Sequence, residues 1–127
     1  MKKTTIEEAQ NFEKLQAQLT GFYQEINALS KKNPNDKVNE FKLKIINKSL
    51  TVANKFFDKD KLPIDGFDVF ELESLPSNSD VLLILGQYIN CLDEYKLPFI
   101  SRYGKNWYWV INDKRTEILT SEPMKIK

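Results

Sequence analysis

The chain contains no histidine and a single cysteine, Cys91. Without imidazole, His-ligated metal sites and His-based catalytic dyads or triads are excluded within this chain. One thiol cannot close an internal disulfide, so a disulfide scaffold is excluded as well. With only four glycines and five prolines in 127 residues, the chain is neither collagen-like nor wholly disordered. It has no run of about 18 apolar residues, so no transmembrane helix is expected. Lys2 and Lys3 are followed by Glu7, Glu8 and Gln10 rather than an apolar stretch, which argues against a secretory signal and for a cytoplasmic location.

The hydrophobic fraction is 41%, enough for one modest core in a chain the length of one domain. The net charge of +1 hides alternation: residues 31–61 carry nine lysines against four acids, and residues 62–80 carry five acids and no base. Such blocks can compensate each other inside the domain or steer a partner.

The spacing predicts a first helix over 5–31. Thr5 and Glu8 fit a capping box. Phe12, Leu15, Leu19, Phe22, Ile26 and Leu29 form a heptad-like stripe, with Glu13, Gln16, Thr20 and Asn27 opposite. That stripe needs cover, from the next helix of the chain or from a second copy in a homodimer. Asn33-Pro34-Asn35-Asp36 breaks the helix, and Asn35 or Asp36 is the expected cap of a second helix over 37–57. This helix has two apolar stripes, one through Val38, Phe41, Ile45, Val52 and Phe56 and one through Leu43, Ile46, Leu50, Ala53 and Phe57. The doubling predicts a central helix covered on both sides, and the short linker predicts an antiparallel hairpin.

Residues 62–75 read as an acidic segment, irregular or briefly helical, with Phe67, Phe70, Leu72 and Leu75 as anchors. Asp58, Asp60 and Asp65 with Gly66 resemble a calcium loop only superficially: counted from Asp58, position 6 is Pro63 and position 12 is Val69, so no metal is expected. Ser77 and Asp80 start a third, largely buried helix over 79–95, where Cys91 reads as a small core residue. After Pro98 the period changes to two. Strands are expected over 99–103, 106–111 and 115–120, turning at Gly104-Lys105 and Asn112-Asp113-Lys114, with a frayed tail over 122–127. The fold class is thus α+β: a helical hairpin and a third helix against a small antiparallel β-meander.

On the middle strand Trp107, Trp109 and Ile111 share one face, and Tyr108 and Val110 the other. If one face docks on the helices, the other is left with aromatic groups. Arg102, Tyr103, Trp107, Trp109 and Arg115 are then the candidate binding residues, since Tyr, Trp and Arg anchor protein interfaces. The alternative is that the helices and the Met124–Ile126 tail bury both faces.

The expected function is a non-enzymatic protein-interaction module, such as an adaptor, accessory subunit or immunity-type inhibitor, acting on a protein partner or on itself without a cofactor. A second reading is nucleic-acid binding through Lys31–Lys61 and the C-terminal aromatics. The net charge and the presence of only two arginines count against it. A third is a small hydrolase using Asp65 with Asp68, or Glu71 with Glu73, though neither pair sits in a motif.

Overall fold

The computed structural model describes residues 3–124. Helix α1 spans Ile6–Lys32, α2 Glu40–Asn54 and α3 Asn78–Lys96. Strands β1 (Ile100–Tyr103), β2 (Asn106–Ile111) and β3 (Lys114–Thr120) form one antiparallel sheet in that order. α1 and α2 make a hairpin, α3 completes a three-helix body, and the open sheet packs against it. No helix among the described residues is long and apolar enough to cross a membrane.

Local chemistry sets the helix ends. The Thr5 side chain accepts from the Glu8 amide and its hydroxyl donates to the Glu8 carboxylate. Ser77 accepts from the Asp80 amide. Each cap satisfies an amide with no partner inside its helix. The stripe of α1 is interior, with Phe12, Leu15, Leu19 and Ile26 buried, each worth roughly 1.5–3 kcal/mol of apolar transfer.

The second helix departs from expectation at both ends. Its cap is Asn39, which accepts from the Lys42 amide, rather than Asn35 or Asp36. The backbone before it is committed elsewhere: the Val38 amide donates to Pro76, and Asp36 and Pro34 accept from Asn78 and Ser79. The linker thus pairs with the start of α3 and delays the helix. At the far end, short bonds from Lys55 to Val52 and Phe56 to Ala53 close the last turn.

The two stripes of α2 also have different fates, so the helix is not covered on both sides. Leu43, Ile46, Leu50 and Ala53 are buried, whereas Phe41 is 71% exposed and Ile45 and Val52 are open too. The 62–75 segment makes the difference. It is irregular, preceded by a 3-10 turn at Lys59–Lys61. Asn47 on α2 both donates to the Phe70 carbonyl and accepts its amide, and Asn54, two turns on, donates to the Asp68 carbonyl. These amides fasten the segment to one side of α2, where Phe67 meets Phe70 and Tyr88 edge-on.

A 3-10 turn at Leu97–Phe99 leads into the sheet. Gly104 opens the first hairpin at φ 65°, and Asn112 and Asp113 turn the second at φ 53° and 64°, the left-handed pair that suits a tight hairpin. Lys114 already pairs with Ile111, so the second loop has two residues rather than three. Beside Trp109 the register shifts. The Thr116 hydroxyl donates to the Trp109 carbonyl and accepts the Ile118 amide, stitching the irregularity. The tail is held as far as it is described: Pro123 is buried and the Met124 amide donates to Asp93. The rest of the expected frayed tail, including Ile126, lies outside the described residues.

Candidate functional site

Strand pairing divides the sheet into two chemically different faces. Ile100 sits opposite Trp109, and Arg102 opposite Trp107, on the side toward the helices; Ser101 and Leu119 flank Tyr108, and Arg115 faces Val110, on the outer side.

The inner face is an anchor. Trp109 is 1% exposed, with its ring edge-on to Phe12 at 5.3 Å and stacked on Phe99 at 6.3 Å. Its indole N–H donates to Glu13 at 2.9 Å, so Trp109 belongs to the core and not to an exposed patch. The expectation failed because Glu13, at the margin of the apolar stripe of α1, turns inward and supplies the acceptor that a buried indole needs. Thr120 donates to the same carboxylate at 2.8 Å.

Beside this pair lies a buried ammonium. The Lys96 side chain is fully enclosed, and its Nζ reaches Gln16 at 3.3 Å, Thr120 at 2.9 Å, and the Ser121 carbonyl and hydroxyl at 3.1 and 2.8 Å. Asp93 is 3.9 Å away. Burial pushes the Lys96 pKa down, and the carboxylates of Glu13 and Asp93 pull it partly back. Glu13 and Gln16 therefore do not simply face water, as the helical pattern implied. Among the described residues no buried side-chain nitrogen or oxygen is left unpartnered. The cluster clamps the end of β3 to α1 and α3, and its donors and acceptors are already committed to one another.

The outer face is open. The Arg115 guanidinium lies 4.8 Å from the Tyr108 ring centroid and 5.7 Å from that of Tyr103, and the two tyrosines meet edge-on at 6.2 Å. Glu117 is 3.7 Å from Arg115 and leaves the guanidinium partly exposed. Tyr103 is 47% and Leu119 54% exposed. Three strands thus contribute one contiguous surface: a cation held over two phenol rings, flanked by Val110 and Leu119. Such stacking orders a long side chain before any partner arrives.

Of the five residues singled out from sequence, the structure brings together Tyr103 and Arg115. Trp107 is half-buried on the opposite face, and Arg102 beside it donates to the Gly104 carbonyl, bracing the turn. Tyr108, Val110 and Leu119 were missed as members of the patch, although alternation along β2 and β3 carries the signal for all three. Because Trp107 and Tyr108 point to opposite sides, they do not form one base-stacking platform. Two lysines of the basic region are drawn into ion pairs, Lys42 with Glu25 at 3.7 Å and Lys44 with Glu40 at 3.4 Å.

Asp65, Asp68, Glu71 and Glu73 are exposed, and Asp68 spends one oxygen on the Val69 amide. Among the described residues no group of three or more Cys, Asp or Glu side chains is placed to hold a metal ion. Cys91 is half-buried on α3. No family model, no curated protein and no solved structure matches the chain. The functional reading therefore rests on these surfaces alone.

Proposed function

We propose that this chain is a non-enzymatic protein-interaction module that presents the outer face of its sheet to a protein partner. One observation carries the reading: Arg115 stacked over Tyr103 and Tyr108 beside exposed Leu119. Aromatic and arginine side chains dominate the binding energy of protein interfaces, because they add large contact area at little further ordering cost. The matching partner surface has an apolar side chain to cover Leu119 and a carboxylate to meet the exposed edge of the guanidinium.

Site-specific photo-crosslinking tests this. A benzophenone amino acid at position 119, in extract of the native cell, is expected to give one discrete protein adduct. Arg115→Glu is expected to abolish the adduct while the circular dichroism spectrum is unchanged. Adducts that are diffuse, or that survive Arg115→Glu undiminished, would remove the support for this face. An adduct of the chain with itself would identify the partner as a second copy.

A further inference from the structure

The uncovered stripe of α2 has a second consequence, on a surface separate from the sheet. Along the seam of α1 and α2 runs an open groove of about 790 Å³. Its floor carries Leu15, Phe22, Ile45, Val52 and Phe56, with Ser49 bonded to Gln18 at the seam between the helices, and Phe41 lies one turn before Ile45 on the same face of α2. Phe41, Ile45, Lys48 and Val52 follow one another at one-turn spacings on a single face. From Phe41 to Val52 the exposed face extends roughly 16 Å, or about three helical turns. The rim is cationic: Lys3, Lys14, Lys48 and Lys55 border the groove with one carboxylate, Glu8, which is itself engaged by Thr5 in the helix cap. Among the described residues, Lys14, Lys48 and Lys55 have no carboxylate within salt-bridge distance, unlike Lys42 and Lys44.

We infer that this groove is a docking site for an acidic amphipathic helix of a partner protein. A helix lying between α1 and α2 would bury the open stripe with its own apolar face and place its flanking carboxylates against the lysines, the helix-in-groove mode of recognition. Charge decides among the occupants. A second copy paired through the same groove would set lysine rim against lysine rim, because a two-fold contact matches a surface with itself. A polyanion such as nucleic acid would meet the rim but leave Phe41, Ile45 and Val52 uncovered. Only an occupant both apolar and acidic satisfies floor and rim together.

The test uses a fluorescein-labelled synthetic peptide of about 15 residues, with leucines on one helical face and glutamates flanking them. Its counterpart carries lysines in place of the glutamates. Fluorescence anisotropy is expected to show the acidic peptide binding at least about tenfold more tightly than the basic one at about 50 mM salt, with that advantage shrinking at about 500 mM. Lys48→Glu with Lys55→Glu should reverse the preference, since both side chains are exposed and carry no part of the core. Phe41→Asp should weaken both peptides, and perturbed amides in the nuclear magnetic resonance spectrum should lie on α1 and α2. Equal affinity for the two peptides, a preference indifferent to the lysine reversals, or amide shifts confined to the sheet would overturn the proposal. A dimer in sedimentation that Phe41→Asp dissociates would also overturn it, by assigning the groove to a second copy.

Discussion

Replacing Lys96 with methionine removes the cation at the centre of the buried polar cluster while roughly keeping its side-chain length. In the native chain Nζ satisfies acceptors on Gln16, Thr120 and Ser121 and neutralises Asp93 and Glu13 nearby. Lys96→Met leaves Asp93, 3% exposed, with the Met124 amide as its hydrogen-bond donor, and Glu13 without a compensating charge. Breaking one side of a buried charge pair costs about 3–5 kcal/mol. Here the Lys96–Asp93 separation of 3.9 Å is long, and the hydrogen bonds to both carboxylates persist. We therefore expect the low end, about 3 kcal/mol, or roughly 10–15 °C in melting temperature for a chain of this length. Urea unfolding followed by tryptophan fluorescence measures it, since Trp109 shares the cluster through Glu13. Asp93→Asn combined with Lys96→Met should recover part of it. A loss below about 1 kcal/mol at neutral pH would show that the cluster is not a charge-compensated clamp.

Trp109→Phe keeps most of the ring packing but loses the bond to Glu13, and should cost about 1.5–3 kcal/mol in the same assay. Phe41→Asp acts on an exposed side chain and should shift stability by less than about 0.5 kcal/mol, whereas Arg115→Glu loses the stacking on Tyr103 and Tyr108 and should cost about 0.5–1 kcal/mol. Tyr88 is fully buried, and burial pushes its pKa up to about 12. The folded chain therefore holds this proton between about pH 10 and 12 while the unfolded chain releases it, so stability should fall as pH rises through that window. Tyr88→Phe loses the bond to Asn54 and should be weaker than the parent at pH 8. The gap should close above about pH 10 in denaturant titrations, and a gap constant to pH 11.5 would contradict the burial assigned to this phenol.

The α+β architecture was legible because it is written in local signals. The stripe from Phe12 to Leu29, the caps at Thr5 and Ser77, and the left-handed turn at Asn112-Asp113 each act within a few residues. What was not legible depends on which distant segment arrives where. The two stripes of α2 are equally apolar in sequence, and Asn47 and Asn54, unremarkable polar residues, decide that the 62–75 segment covers one of them. Glu13 and Gln16 read as solvated because nothing local announces that Trp109 and Lys96 will meet them. The candidate patch was found in outline, through Tyr103 and Arg115. Trp109 was misplaced because an interface anchor and a core anchor call for the same residue type; only the partner of the indole N–H separates them.

The most direct test of the outer face as a binding surface is the affinity for the protein captured from position 119, once purified. Arg115→Glu and Leu119→Asp should each weaken it by at least about thirtyfold, the mark of an interface hot spot, while Lys48→Glu with Lys55→Glu, on the far groove, leaves it within about threefold. Equal binding by all of these variants would contradict the assignment of the sheet as the docking face.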